Sequence, residues 1–279
     1  MPLTLRYGSA GSGKTRACLE EVARELRRPA AANPLILVVP EQASHQTERA
    51  CLARLGASWR VQVLSFRRLA WRVFQEAGGA SRPPITDLGR KLVLRAILQR
   101  RAGELGYFGR LADRPGVLDQ LSGSLRECRA YEVSAENLLA VADTLGGSRG
   151  ILGQKLADLA TIMGDLARHL EGRYTDPDQS LSLMADRLAA ARVCRRAQVW
   201  VDGFSGFTPQ EYRVLGALLR VADRVTVTLT LDPGRAGAAE GLFTPTLETR
   251  ERLVQLALDA GAAVEEKGTR AGSVSVSES

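Results

Sequence analysis

The sequence has few of the residues from which metal centres and disulfide frameworks are built. It contains two histidines and four cysteines, and no two of these cysteines form a CxxC pair. This scarcity disfavours a zinc site and predicts buried, reduced thiols. The four cysteines are Cys18, Cys51, Cys128 and Cys194. Lysine is scarce as well, since nearly all of the 38 basic residues are arginines, so a lysine within a motif is informative.

Long apolar runs are also missing. No run approaches the roughly 18 residues that a membrane-spanning helix needs, and the sequence starts without the basic stretch and apolar core of a signal peptide. We therefore expect a cytoplasmic protein with no membrane association. The net charge is +7 and the pI is about 9.6. This charge permits a polyanionic partner such as nucleic acid, although the basic residues are spread along the chain.

The residues up to about 78 alternate between strand and helix patterns. Short apolar runs predict strands at Leu3–Tyr7, Leu35–Val39 and Val61–Leu64, and each is followed by a stretch with helical spacing of apolar residues. Strands that alternate with helices favour a parallel sheet, because parallel neighbours need crossover connections.

A long helical stretch interrupts this pattern. From Thr86 or Asp87, a predicted helix cap, to about Arg195 the sequence shows no convincing strand. Strand patterns return at Val199–Asp202 and Val225–Leu231. The predicted fold class is therefore α/β, a parallel sheet with an all-helical inserted subdomain. The predicted divisions are 1–85 and 196–265 for the two parts of the sheet domain, 86–195 for the helical insertion, and 266–279 for a disordered or truncated end.

A glycine-rich turn joins the first strand to the first helix. Its residues are Gly8, Ser9, Ala10, Gly11, Ser12, Gly13, Lys14 and Thr15, which fit the GxxxxGK[ST] pattern at every fixed position. The glycines let the backbone approach phosphate oxygens, and the backbone N–H groups form an anion cradle. Lys14 is expected to bridge phosphate oxygens, and the hydroxyl of Thr15 to bind Mg²⁺. The sheet domain is thus predicted to be a P-loop NTPase fold that binds ATP and Mg²⁺.

An acid at the end of another strand usually completes the magnesium shell of such a loop. Asp202, directly after the strand pattern Val199–Val201, is the best candidate. The next residue is Gly203, where many ATP-hydrolysing relatives place a glutamate that positions water. The nearest later acid, Glu211, lies within the following predicted helix. The residues therefore predict a site that binds nucleotide but hydrolyses it poorly, and no catalytic residue is assigned.

Four strings of the sequence resemble the AddB subunits of the bacterial AddAB helicase–nucleases. They are Gly8–Thr15, Val39–Gln42, Val63–Phe74 and Asp202–Glu211. The resemblance implies a superfamily 1 helicase-like lobe, with the helical stretch as its inserted subdomain. It also implies an AddA-like motor and nuclease subunit as the partner in a heterodimer. The family resects DNA double-strand breaks for recombinational repair, and its AddB component helps to recognise the Chi sequence.

The resemblance also limits what is assigned to this chain. The nuclease domain and iron–sulfur cluster of the family lie near the far C-terminus of a much longer chain, so no nuclease residue and no cluster cysteine is assigned, and the natural chain is expected to continue past Ser279. Asp232 matches part of a γ-phosphate-sensing motif, but no glutamine follows it nearby. Only seven residues precede Gly8, which leaves the preference for ATP over GTP open.

Candidate DNA contacts follow the third predicted strand. Ser65, Phe66 and Arg67 supply a hydroxyl, an aromatic ring and a cation, which suit a single-stranded backbone and its bases. The other interpretation, which the pattern slightly favours, is a helix start with Phe66 in the core.

Three functional hypotheses follow. The leading one is the N-terminal, nucleotide-binding part of an AddB-type subunit, associated with DNA and catalytically quiet alone. The second is a stand-alone P-loop NTPase or small-molecule kinase that uses the helical stretch as a lid. The third is a non-catalytic scaffold for the motor subunit. The missing acid after Asp202 argues against the second, and whether this chain is an enzyme by itself stays open.

Overall fold

The computed structural model describes residues 2–28, 33–79, 82–145, 150–231 and 243–268. They form two compact units. The first, here called the sheet unit, is drawn from Met1–Gly79 and Leu181–Ser279, and the second, the helical unit, is drawn from Ala80–Ser180.

In the part of the chain that the structure describes, the sheet unit is built on six parallel strands. In chain order they are β1 (Pro2–Gly8), β2 (Leu35–Val38), β3 (Val61–Leu64), β4 (Gln198–Val201), β5 (Arg224–Thr230) and β6 (Ala263–Gly268). Their order across the sheet is β3-β2-β4-β5-β1-β6, and every neighbouring pair is parallel. The fold class is therefore α/β with a parallel sheet, and the chain inserts β4 and β5 between β1 and β2.

The sixth strand corrects the prediction of a disordered or truncated end at 266–279. The described part of that range, Glu266 to Gly268, lies in β6, where Glu266 pairs with Leu5 of β1. Most of β6 is exposed and its sequence is polar, so it carries no apolar pattern from which an edge strand is recognised. Residues 269–279 lie outside the described part of the chain.

The sheet buries both of its faces, as continuous apolar strands predict. Along β2 and the residue after it, Leu35, Leu37 and Val39 pack with one cluster, while Ile36 and Val38 pack with the other. This alternation follows from the two-residue period of a strand. Among the described residues of this unit, six helices pack on the sheet: α1 (Lys14–Leu26), α2 (Ser44–Leu55), α3 (Phe66–Ala77), α8 (Ser180–Arg187), α9 (Pro209–Val221) and α10 (Thr244–Asp259).

The helical unit has its own apolar core. Its helices are α4 (Asp87–Arg100), α5 (Val117–Ala130), α6 (Ala135–Thr144) and α7 (Ile151–Leu170). Thr86 caps α4 by accepting a hydrogen bond from the Gly89 amide at 3.0 Å. Among the residues described in this unit, none lies in a strand.

The helical unit ends earlier than the range 86–195 expected from the sequence. Met184, Leu188, Val193 and Cys194 are buried in the core of the sheet unit, and the unit boundary falls at Ser180. Helical spacing alone does not reveal which core a helix joins. Within the described ranges, no helix has both the length and the apolar character needed to cross a bilayer.

Candidate functional site

The carboxyl edge of the sheet brings the predicted site residues together. The turn Gly8–Thr15 leaves β1 at this edge, and Asp202 follows the last residue of β4. Between these two strands lies β5. In open parallel sheets, ligands bind at this edge where the strand order changes direction.

The turn adopts a conformation that depends on its glycines. Gly11 and Gly13 have φ of 77° and 85°, in the left-handed region that other residues avoid. A Cβ built on Gly8 would lie 2.1 Å from Oγ of Ser12, so the turn is too tight for a side chain there. Oγ of Ser12 is buried and has no hydrogen-bond partner among the described residues. The turn therefore holds an unused polar group on its inner side.

The first helix starts without a side-chain cap. Gly13 occupies the cap position and offers no side chain to the amides of the first turn of α1. Unsatisfied N–H groups at a helix start, together with the helix dipole, attract an anion. The main-chain geometry therefore suits a phosphate, as the GxxxxGK[ST] pattern predicts.

Lys14 folds back over the turn. Its ammonium donates to the carbonyl oxygens of Gly8 and Ser9 at 2.8 Å each. Burial lowers the pKa of Lys14, and the nearby carboxylate of Asp202 opposes this shift. The cation thus lies at the turn itself, where an arriving anion would compete with the two carbonyls for its protons.

Thr15 and Asp202 are in direct contact. The hydroxyl of Thr15 donates to Oδ2 of Asp202 at 2.6 Å. The other oxygen, Oδ1, accepts from the hydroxyl of Thr228 on β5. Asp202 is buried, with 6% of its surface exposed. The hydroxyl and carboxylate oxygens that hard cations such as Mg²⁺ prefer are therefore adjacent.

Gly203, the residue after Asp202, has a left-handed backbone conformation. Its φ is 85°, and a Cβ built there would meet Cδ of Pro40 at 3.4 Å. A non-glycine residue in this region costs of order 1–2 kcal/mol. The position at which a glutamate would follow Asp202 is thus shaped for glycine.

The three candidate DNA-contact residues differ in exposure. Ser65 is buried, caps α3 by accepting from the Arg68 amide, and donates to Glu41. Phe66 is 5% exposed, so its ring belongs to the core, in line with the second interpretation above. Of the three, only Arg67 presents an exposed side chain.

Phe66 joins two of the strings that carry the family resemblance. Its ring lies 5.4 Å from that of Phe204 and 6.4 Å from that of Phe207, measured between centroids. Offset and edge-on aromatic pairs at such distances stabilise a core. The string after β3 and the string after β4 thus form one aromatic cluster next to the carboxyl edge.

Some members of the site carried no usable signal in the sequence. Thr228 lies inside the predicted strand Val225–Leu231, and the alternation Val225-Thr226-Val227-Thr228 places its threonines on one face but does not point to Asp202. The left-handed backbone of Gly203 had no signal beyond the glycine itself. Asp232, considered above for a γ-phosphate motif, lies outside the described residues.

The comparisons with known proteins agree on one family. The model of the family described as "ADDB, N-terminal" matches residues 5–278. A protein of Desulforudis audaxviator is 49% identical over 278 residues and one of Moorella thermoacetica is 48% identical over 281 residues. A protein of Symbiobacterium thermophilum is 46% identical over 269 residues. All three are named as the B-type subunit of an ATP-dependent helicase/deoxyribonuclease.

These alignments cover nearly all of this chain and a small part of each relative. They include 92% of the chain for the Symbiobacterium protein and 98% for the other two. The chain spans only 23–24% of the length of these relatives.

Proposed function

The chain belongs to the family ADDB, N-terminal, and from this premise we propose that it is the nucleotide-binding, helicase-like part of an AddB-type subunit. The whole enzyme would be an ATP-dependent helicase/deoxyribonuclease that processes DNA double-strand breaks for recombinational repair. Its partners would be DNA and an AddA-like motor subunit. The names of the relatives support this assignment.

The observation that carries the nucleotide-binding proposal is the contact between Thr15 and Asp202. A GxxxxGK[ST] turn alone defines a place for phosphate. A carboxylate from a strand two places across the sheet adds a place for a cation. The unused hydroxyl of Ser12 and the uncapped start of α1 also fit a phosphate group. The sheet unit is therefore proposed to be a P-loop NTPase lobe of the superfamily 1 helicase type.

Each residue has a proposed role toward ATP and Mg²⁺. The amides of the turn Gly8–Thr15 would donate to phosphate oxygens, and Lys14 would exchange its two carbonyl acceptors for phosphate. Thr15 and Asp202 would hold the cation or its water shell, and Thr228 would orient Asp202. Bound magnesium nucleotide would supply phosphate oxygens to the turn and a cation to Thr15 and Asp202.

Poor hydrolysis is part of the proposal. General-base or water-positioning groups must lie within hydrogen-bond reach of the attacking water. The residue after Asp202 is a glycine in a left-handed conformation, which a glutamate adopts only with strain. We assign no other residue to this task. Bound nucleotide would regulate or stabilise the subunit while a partner provides the motor.

The DNA contacts remain a separate proposal. Arg67 is exposed at the start of α3 and can reach a phosphate. For Ser65 and Phe66 a contact with DNA would require a rearrangement, because both are buried in the sheet unit. Ser65 donates a hydrogen bond to Glu41, and the ring of Phe66 packs against that of Phe204.

The test compares Lys14→Ala with Arg16→Ala in the 279-residue chain. Arg16 is an exposed cation two residues along the same helix, paired with Glu20, and serves as the matched control. Calorimetric titration with a non-hydrolysable ATP analogue and Mg²⁺ should show binding by the wild type and by Arg16→Ala, and none by Lys14→Ala. Absence of binding by the wild type at millimolar nucleotide would overturn the proposal.

Two further measurements test poor hydrolysis and nucleotide-dependent partner binding separately. ATP turnover should be negligible with or without single-stranded DNA, and robust turnover would contradict the assignment at Gly203. Capture of an AddA-like subunit should respond to nucleotide in the wild type. If capture is unchanged in Lys14→Ala and insensitive to nucleotide, the turn has no regulatory role and the scaffold hypothesis is favoured.

A further inference from the structure

A pocket of about 480 Å³ on the helical unit is lined almost entirely by charged side chains. Arg100 ends α4 and Arg101 follows it, while Arg168 and His169 lie in the last turn of α7. Arg173 follows shortly after α7 and completes the basic wall. Four arginines thus converge from two helix ends and one turn.

The two carboxylates of the pocket are already engaged. Asp165 accepts from Nε of Arg101 at 2.8 Å and from Nη2 at 3.1 Å, and it also accepts from Arg168. Only 4% of the Asp165 side chain is exposed. Glu104 accepts from Nη1 of Arg101. Both acids therefore hold Arg101 between the helix ends, and Asp165 also pairs with Arg168.

Two arginines are left over. Neither Arg100 nor Arg173 forms a side-chain hydrogen bond or ion pair with the described residues, and both are exposed. With four arginines against two carboxylates, the pocket keeps a surplus of two positive charges even with His169 neutral. A cation in the last turn of a helix also interacts with the helix dipole, but Arg173 lies outside any helix. The dipole does not account for it.

We propose that this pocket binds the phosphates of a DNA backbone. Guanidinium groups match phosphate oxygens in a two-pronged geometry, which a lysine does not provide. The lining contains no large apolar side chain, whereas the centres of protein–protein interfaces are built on buried aromatic and apolar anchors. The overall charge of +7 favours a polyanion. The site is independent of the nucleotide site and lies wholly in the helical unit.

The test uses charge reversal with a matched control. Arg100→Glu/Arg173→Glu is compared with Arg110→Glu/Arg114→Glu, which makes the same charge change at exposed arginines elsewhere in the helical unit. Fluorescence anisotropy with a short labelled duplex is measured over a range of salt concentrations. The pocket variant should bind roughly tenfold more weakly, and its salt slope should fall by about two, because each lost phosphate contact removes about 0.9 from the slope. The control should change by less than about twofold.

Further variants and a competition experiment identify the ligand and control for misfolding of the charge-reversal variant. Arg100→Gln/Arg173→Gln keeps the side chains polar and should reproduce the loss if Arg100→Glu/Arg173→Glu folds poorly. Polyglutamate should compete much less well than DNA, and equal competition would point to an acidic protein instead. Equal weakening by the pocket and control variants would overturn the proposal. Lys14→Ala should keep its DNA binding, and the pocket variants should keep their ATP-analogue binding, so the two proposals fail separately.

Discussion

The hydroxyl of Thr15 donates a hydrogen bond to Oδ2 of Asp202, with 2.6 Å between the two oxygens. These residues are far apart in the sequence, one in the first turn of α1 and the other after β4. Their contact exists because β4 and β5 are inserted between β1 and β2, so the ends of β1 and β4 meet at one edge. The turn Gly8–Thr15 and the acid thus lie together at this edge.

The first prediction concerns Asp202. In Asp202→Asn the side chain keeps its size and an acceptor oxygen but loses its charge, so the affinity for an ATP analogue should depend less on Mg²⁺. Calorimetric titrations with Mg²⁺ and with a chelator measure this dependence. We expect the gain from Mg²⁺ to shrink by roughly tenfold or more, since hard cations rely on charged oxygens.

Asp223→Asn is the matched control for this measurement. Asp223 precedes β5 at the opposite edge of the sheet and its carboxylate accepts from Asn33 at 2.8 Å. Asp223→Asn should leave the titrations with Mg²⁺ and with the chelator unchanged. An equal Mg²⁺ effect in wild type and Asp202→Asn would remove Asp202 from the site.

The second prediction concerns Thr228. Valine has nearly the shape of threonine, so Thr228→Val removes the hydrogen bond to Oδ1 of Asp202 with little change of volume. Groups that orient a metal ligand typically contribute 10–100-fold to metal affinity, and we expect a loss near the lower end of that range. Thr230→Val, two residues along β5 and exposed, should behave as wild type. Wild-type Mg²⁺ dependence in Thr228→Val would mean that Asp202 needs no such support.

The third prediction concerns Gly203. Gly203→Ala forces an L side chain into a φ of 85° beside Pro40, which costs about 1–2 kcal/mol. The melting temperature should fall by about 2–8 °C, given the shift expected per kcal/mol for domains of this size. Thermal unfolding followed by circular dichroism measures it.

Gly206→Ala provides the comparison. Gly206 has no positive φ, and a Cβ there would meet only Oγ1 of Thr249, at 3.7 Å. Its melting temperature should stay near that of the wild type. Gly203→Glu should be destabilised like Gly203→Ala and should gain no ATP turnover. If Gly203→Glu were stable and hydrolysed ATP, glycine at this position would be the only barrier to activity.

Local patterns accounted for five strands of the fold. The apolar run Leu35–Val39 predicts a strand buried on both faces, and β2 confirms this interpretation. In α9 the helix starts at Pro209 after the cap Thr208, and Glu211 completes a capping box. The sixth strand was missed because its stability comes from pairing with β1 rather than from burial of its own side chains.

The turn Gly8–Thr15 is easier to predict from the sequence than the residues from other strands that join it. The spacing in Gly8–Thr15 predicts the turn by itself, because its chemistry is contained in eight consecutive residues. The partner Asp202 depends on strand order, which no short pattern encodes. Phe66 illustrates the same limit, since the pattern after the strand favours core packing over DNA stacking only slightly until Phe204 and Phe207 are placed beside it.

The fourth prediction concerns Tyr7, which directly precedes the turn Gly8–Thr15. Burial raises its pKa from 10.0 to about 12, although the hydrogen bond from Arg250 opposes the shift. Between these two values the unfolded chain releases the phenol proton and the folded chain retains it. The stabilising contribution of Tyr7 is therefore complete below about pH 10 and is lost as the pH rises through about 12.

Tyrosinate absorbance measures this effect directly. The difference between the titration curves of the wild type and Tyr7→Phe isolates one phenol, whose midpoint should lie near 12. Urea unfolding of the wild type should weaken with rising pH more steeply than that of Tyr7→Phe. Titration of Tyr7 near 10 would show that its environment is more solvated than the sheet packing implies.

The fifth prediction concerns Asp158 in the helical unit. Its buried carboxylate accepts backbone hydrogen bonds from Gly106 at 3.1 Å and from Tyr107 and Phe108 at 2.8 Å each. In Asp158→Asn a single amide oxygen replaces two charged acceptors, and at least one buried N–H loses its partner. Hydrogen bonds to charged groups contribute about 1.5–3 kcal/mol each, so we expect a loss in that range for the helical unit.

Hydrogen exchange separates this local effect from general unfolding. In Asp158→Asn the amides of Gly106, Tyr107 and Phe108 should exchange faster than in the wild type, while amides in β1 and β5 should be unaffected. Asp143→Asn, an exposed acid on α6, is the matched control and should leave exchange in this segment unchanged. Phe108 is 5% exposed. Unaltered protection at all three amides in Asp158→Asn would mean that the packing of Phe108, rather than the carboxylate, holds the shape of this turn.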